Sequence, residues 1–112
     1  MYPRFCSFRD ESGAADSYFT EVAAEYGLGA ARPGLAIGET DDLIDVIAGV
    51  DGRTVRVDRA DVRFGLPENA TLAMMDATEE AIEDALGEEP RDDAQVARLE
   101  QTLAVLESSL DS

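Results

Sequence analysis

Apolar and polar residues alternate along this chain in two rhythms, and the rhythm changes near residue 66. Before that point short runs read mainly as strands; after it the apolar positions recur at helical spacing. Residues 2–8 are rich in aromatics, with Cys6 and Phe8 facing one way and Phe5 and Ser7 the other. Pro3 cannot donate to a ladder, which predicts a sheet-edge position for this strand. Phe19, Val22, Ala23 and Tyr26 predict a helix over about residues 14–26, with Ser12 as N-cap and Gly27 ending it. Residues 27–38, punctuated by Gly29, Pro33 and Gly34, read as a loop in which only 35–37 pair briefly.

Residues 43–57 support two readings. Thr40, Asp41 and Asp42 resemble a helix start, with Leu43, Ile44, Val46 and Ile47 facing inward. Against this, Val50-Asp51-Gly52-Arg53 is a two-residue hairpin signal. Pairing Val50 with Arg53 sets Ala48 opposite Val55 and Val46 opposite Val57, so the apolar residues of both strands share a face. The hairpin is the preferred reading. Ala60, Val62 and Phe64 then alternate out of phase with Val55 and Val57, which predicts a bulge or turn near Asp58-Arg59.

In the last third, Leu72, Met75, Glu79, Ile82 and Leu86 fall at gaps of three and four, and Val96, Leu99, Leu103, Leu106 and Leu110 repeat them. Gly87 and Pro90 close the first helix, and Asp92 or Asp93 caps the second. The short connection predicts an antiparallel helical hairpin. The expected fold is α+β: a single domain over 1–112, with a small antiparallel sheet and one helix in 1–66 and the hairpin in 67–112.

Charge changes the picture most. The 112 residues carry 25 acids against nine bases, all arginine, for a net charge of -16. Residues 1–64 hold 12 acids and seven arginines; residues 65–112 hold 13 and two, so the hairpin carries most of the acid. Acidity without lysine resembles proteins of salt-in halophiles, where salt near 1 M shortens the screening length to about 3 Å and makes such a surface tolerable. A single cysteine, Cys6, excludes an internal disulfide. No stretch approaches the roughly 18 apolar residues of a membrane span, and no signal peptide is recognisable. A cytoplasmic protein is expected.

Several chemistries fall away. With no histidine or lysine there is no imidazole metal site, no Ser-His-Asp triad, no Schiff base and no P-loop lysine. A non-enzymatic protein with no cofactor is expected. Asp76, Glu79, Glu80, Glu83 and Asp84 line a helix and offer oxygen ligands to a hard cation, although helix-spaced acids more often form a solvated face. Glu79 interrupts an apolar stripe, so it either pairs with Arg98 or turns outward. The glycines of 27–34 follow a helix, whereas a dinucleotide fingerprint follows a strand. Cys6, between aromatics, reads as core filler rather than a reactive thiol.

Two candidate surfaces remain. Val96, Leu99, Leu103, Leu106 and Leu110 form an uninterrupted stripe whose partner helix offers a poorer match, so the leading expectation is an interaction module that self-associates as a dimer or higher oligomer. Arg53, Arg56, Arg59 and Arg63 concentrate four of the nine arginines within eleven residues, and a ribbon bearing them could contact phosphate in a nucleic acid. That is the alternative, opposed by the overall acidity; a small-anion- or divalent-metal-binding protein comes third.

Overall fold

The computed structural model describes residues 2–110. Five strands, β1 (Arg4–Arg9), β2 (Ala31–Thr40), β3 (Leu43–Ile47), β4 (Thr54–Asp58) and β5 (Val62–Phe64), form one antiparallel sheet in the order β4-β3-β2-β1-β5. Helix α1 (Ser17–Glu25) connects β1 to β2, and α2 (Glu68–Leu86) and α3 (Asp93–Leu110) form a C-terminal pair. The fold class is α+β, as the two rhythms predict. Among the described residues no helix is long and apolar enough to cross a membrane.

Strand register explains how one sheet supports two apolar clusters. Phe5 pairs with Leu35, and Leu35 with Ile47, so these three share a face. On that face Leu35 and Ile47 join Phe19 and Val22 of α1, Met74 of α2, and Leu99 and Leu106 of α3 in the main core, with Phe5 packed against it. The opposite face carries Cys6, Phe8, Ala36, Ile44, Val46 and Val57, all buried in a cluster built from strand and loop residues. Val62 and Phe64 of β5 pack against this second cluster, so both edge strands contribute to it. Only the 3-10 turn Arg59–Asp61 separates β4 from β5. The sheet therefore curls around its own side chains instead of needing a second layer.

Several local expectations need correction. Pro3 does not put β1 at an edge: β1 lies between β2 and β5, and its pairing begins at Arg4, one residue after the proline. Helix α1 is capped by Asp16, not Ser12. Residues 31–40 are a central strand rather than a loop. Pro33 is tolerated there because β3 pairs with β2 only from Leu35 onward, so no ladder on that side needs its missing N–H. Gly34 is required by crowding, since a Cβ would lie 2.5 Å from Val46 Cγ1 and 3.0 Å from the Ile47 carbonyl oxygen.

The hairpin of 43–58 forms, but Val46 faces Val55 and Ile44 faces Val57. The pairing is shifted by two residues, because Ala48 N–H donates to Arg53 and leaves Gly49–Gly52 as a four-residue loop. A shift of two preserves the face, so the apolar match survives. In α2 the inward stripe is Ala70, Met74, Ala77, Ala81 and Ala85, whereas Glu79 is exposed and Leu72 and Leu86 stand outward. The small residues set α2 close to its neighbours, at the cost of leaving two leucines outside.

Candidate functional site

The four arginines of 53–63 are not gathered on one surface. Arg53 lays its fork on Asp51, Nε to Oδ1 at 3.0 Å and Nη2 to Oδ2 at 3.0 Å, while Nη1 donates to the Ala14 carbonyl at 3.3 Å. The hydrogen bond from Arg53 holds the Asp51 carboxyl below its ordinary range, and Asp51 in turn raises Arg53. Arg56 stands beside its register partner Asp45 at 3.1 Å, on the sheet face away from Val55 and Val57. Arg59, in the 3-10 turn, pairs with Glu39. Arg63, on β5 opposite Ser7, has no ion pair among the described residues. Three of the four guanidinium groups already hold a carboxylate.

The helical stripe is also redistributed. Val96, Leu99 and Leu106 are buried in the chain's own core, and Leu103 packs against it half-buried. Leu110 alone of the five is substantially exposed, at 39%. The surplus that sequence spacing assigned to α3 lies instead on α2, where Leu72 and Leu86 are 44% and 47% exposed. Glu79, midway between them, is exposed and makes no ion pair with Arg98. The neighbouring acids are exposed, and among them Asp84 accepts a hydrogen bond from the Tyr18 hydroxyl at 2.7 Å. That bond, with burial and surrounding acids, raises the Tyr18 phenol to about 12. Among the described residues no group of three or more His, Cys, Asp or Glu side chains is placed to hold a metal ion.

Asp16 is the organising residue that spacing alone does not reveal. Its Oδ1 accepts the Phe19 N–H at 2.9 Å, capping α1, and its Oδ2 accepts the Val50 N–H at 2.6 Å, tying the β3–β4 loop to the helix start. The signal was available, because Asp immediately before a helical apolar series is a favoured cap. Asp16, Tyr18, Arg53, Asp84, Glu88 and Leu99 help to line a cleft of about 200 Å³ where the loop meets the helices. Its charged groups already have partners or face solvent, so it is a structural junction. The glycines of 27–34 do not share one loop, since residues 31 onward belong to β2. Burial pushes the Cys6 thiol up to about 12, leaving it protonated and inert at neutral pH. On the curled face of the sheet, a further feature escaped the spacing argument: the Arg4 guanidinium carbon lies over the Phe64 ring, 4.1 Å from its centroid.

Comparison with known proteins returns no matching family model, no matching curated protein and no matching solved structure.

Proposed function

We propose that the protein is a binding module that self-associates through the outer face of α2, in a high-salt interior for which its acidity is an adaptation. The exposure of Leu72 and Leu86 carries this reading. They are two heptads apart and so lie on one side of the helix. Glu79 sits midway between them. A two-fold, antiparallel pairing of α2 with its copy has its axis at Glu79 and sets Leu72 of each chain against Leu86 of the other. The register is self-complementary without adjustment.

The energetics make this a weak contact. Complete burial of a leucine is worth about 1.5–3 kcal/mol, so covering the exposed half of four leucines supplies about 4 kcal/mol. Association costs about 4–15 kcal/mol in lost freedom, so the four leucines alone at best break even, and a measurable dimer needs Leu110 and rim contacts to add to them. The two Glu79 carboxylates meet at the axis and repel. Salt near 1 M cuts the screening length to about 3 Å and removes most of that repulsion. Association therefore strengthens with salt, opposite to an ion-paired interface. Static light scattering across concentration in molar potassium chloride tests the reading: apparent mass rises with concentration in the wild type and stays monomeric in Leu72→Glu/Leu86→Glu. A wild-type mass that never departs from 12.0 kDa overturns it.

A further inference from the structure

The surface opposite the helices carries a second feature, independent of self-association. Tyr2 and Arg4 precede and open β1, and their side chains share the face of Cys6, which pairs with Phe64 on β5. The Arg4 guanidinium carbon lies 4.1 Å from the Phe64 ring centroid, and the Tyr2 ring is tilted 58° against Phe64 with centroids 6.1 Å apart. Tyr2 is fixed by its hydroxyl, which donates to Glu39 at 3.2 Å, and Glu39 also holds Arg59. Arg4 is exposed, and among the described residues it has no carboxylate partner, although the chain holds 25 acids and Arg9, Arg53, Arg56, Arg59 and Arg91 are all ion-paired.

We infer that Arg4, Phe64 and Tyr2 form a stacking platform for an unpaired base of a single-stranded nucleic acid. A guanidinium lying over an aromatic ring presents its other face outward, a plane on which a base stacks. Its edge N–H groups remain free for one phosphate, in the paired geometry that arginine offers and lysine lacks. Placement favours this surface. The helical hairpin, with its net charge of -11, packs on the opposite face of the sheet, while the charges that act on Tyr2 are Arg4 and Arg59 against Glu39. Stacking also suits a high-salt setting, because salt erodes the phosphate contribution and leaves base–aromatic contact largely intact.

The test is fluorescence anisotropy with a short labelled oligothymidylate in molar potassium chloride, with thymidine monophosphate as competitor. Wild type binds saturably. Arg4→Lys keeps the charge but loses the plane, and weakens binding roughly tenfold, as does Phe64→Leu. With one phosphate engaged, a fourfold rise in salt costs only about threefold in affinity. Arg4 is exposed, so thermal melts of Arg4→Lys match wild type and the comparison stands even if Phe64→Leu is unstable. Absence of wild-type binding, full binding by Arg4→Lys, or competition by the mononucleotide as effective as that of the strand each overturns the platform. A monomeric wild type that still binds the strand leaves it standing.

Discussion

Replacing Asp16 with alanine removes one carboxylate and two connections. The Phe19 N–H loses its cap at 2.9 Å, and the Val50 N–H loses its acceptor at 2.6 Å. Loss of an N-cap costs about 1 kcal/mol, within a range of roughly 0.5–2. Val50 is only 4% exposed, so its N–H has little access to water. An unsatisfied buried donor costs about 1–3 kcal/mol. The two together give about 2–4 kcal/mol, a large fraction of the roughly 5–15 kcal/mol that holds a domain of this kind. Asp16→Asn keeps one acceptor oxygen and is expected to lose about half as much. Urea unfolding in molar salt measures both, with the slope against denaturant unchanged if only the native state is affected. Hydrogen exchange at Val50 adds a local readout, with protection falling further than at β1 amides. A loss below about 1 kcal/mol in Asp16→Ala, or equal loss in both variants, would refute the double-acceptor account.

Other consequences follow from the same geometry. Gly34→Ala forces a Cβ against Val46 and the Ile47 carbonyl and should cost about 1–3 kcal/mol by overpacking, read as a lower urea midpoint; an unchanged midpoint contradicts the close approach. The Cys6 thiol is raised from 9.0 to about 12 and the Tyr18 phenol from 10.0 to about 12. Both folded values exceed the unfolded ones, so the stability they contribute is complete below pH 9 and is lost as pH rises towards 12. Thermal melts should therefore fall across that window, less steeply in Cys6→Ala, and thiol reagents should label Cys6 only at the rate of unfolding. With a net charge of -16, the melting midpoint should rise from dilute buffer to molar potassium chloride; a flat or falling midpoint removes the halophilic reading.

Element types were legible where apolar periodicity was strong, and the errors have definite physical sources. The spacing of Phe19, Val22 and Ala23 identified the buried side of α1, and Val96, Leu99 and Leu106 that of α3. In α2, Leu72 and Leu86 outweighed the alanines by hydrophobicity, yet close approach of helices selects small residues, so Ala70, Ala77, Ala81 and Ala85 turned inward. Pro33 and Gly34 read locally as loop punctuation. Their strand conformation depends on neighbours distant in sequence: Ser7 opposite Pro33, and Val46 and Phe8 crowding Gly34. The hairpin register slipped by two because the loop is held by Asp16, thirty-four positions from Val50, which no turn signal encodes. The arginine segment looked like a ribbon because spacing conveys density and not partners. Asp51, Asp45 and Glu39 come from three different segments.

Cross-linking at the proposed two-fold axis tests self-association most directly. Glu79→Cys places a thiol where the pairing brings two copies of α2 together, and it removes the central repulsion. Cys6 needs no replacement, because it is fully buried and its thiol is raised to about 12. Thr54→Cys, exposed on β4 and not on α2, provides the comparison. Under mild oxidation in molar salt the account predicts that Glu79→Cys forms a disulfide-linked dimer well before Thr54→Cys, and that adding Leu72→Glu and Leu86→Glu abolishes the difference. Equal rates for the two cysteines, or an advantage that survives loss of both leucines, would contradict it.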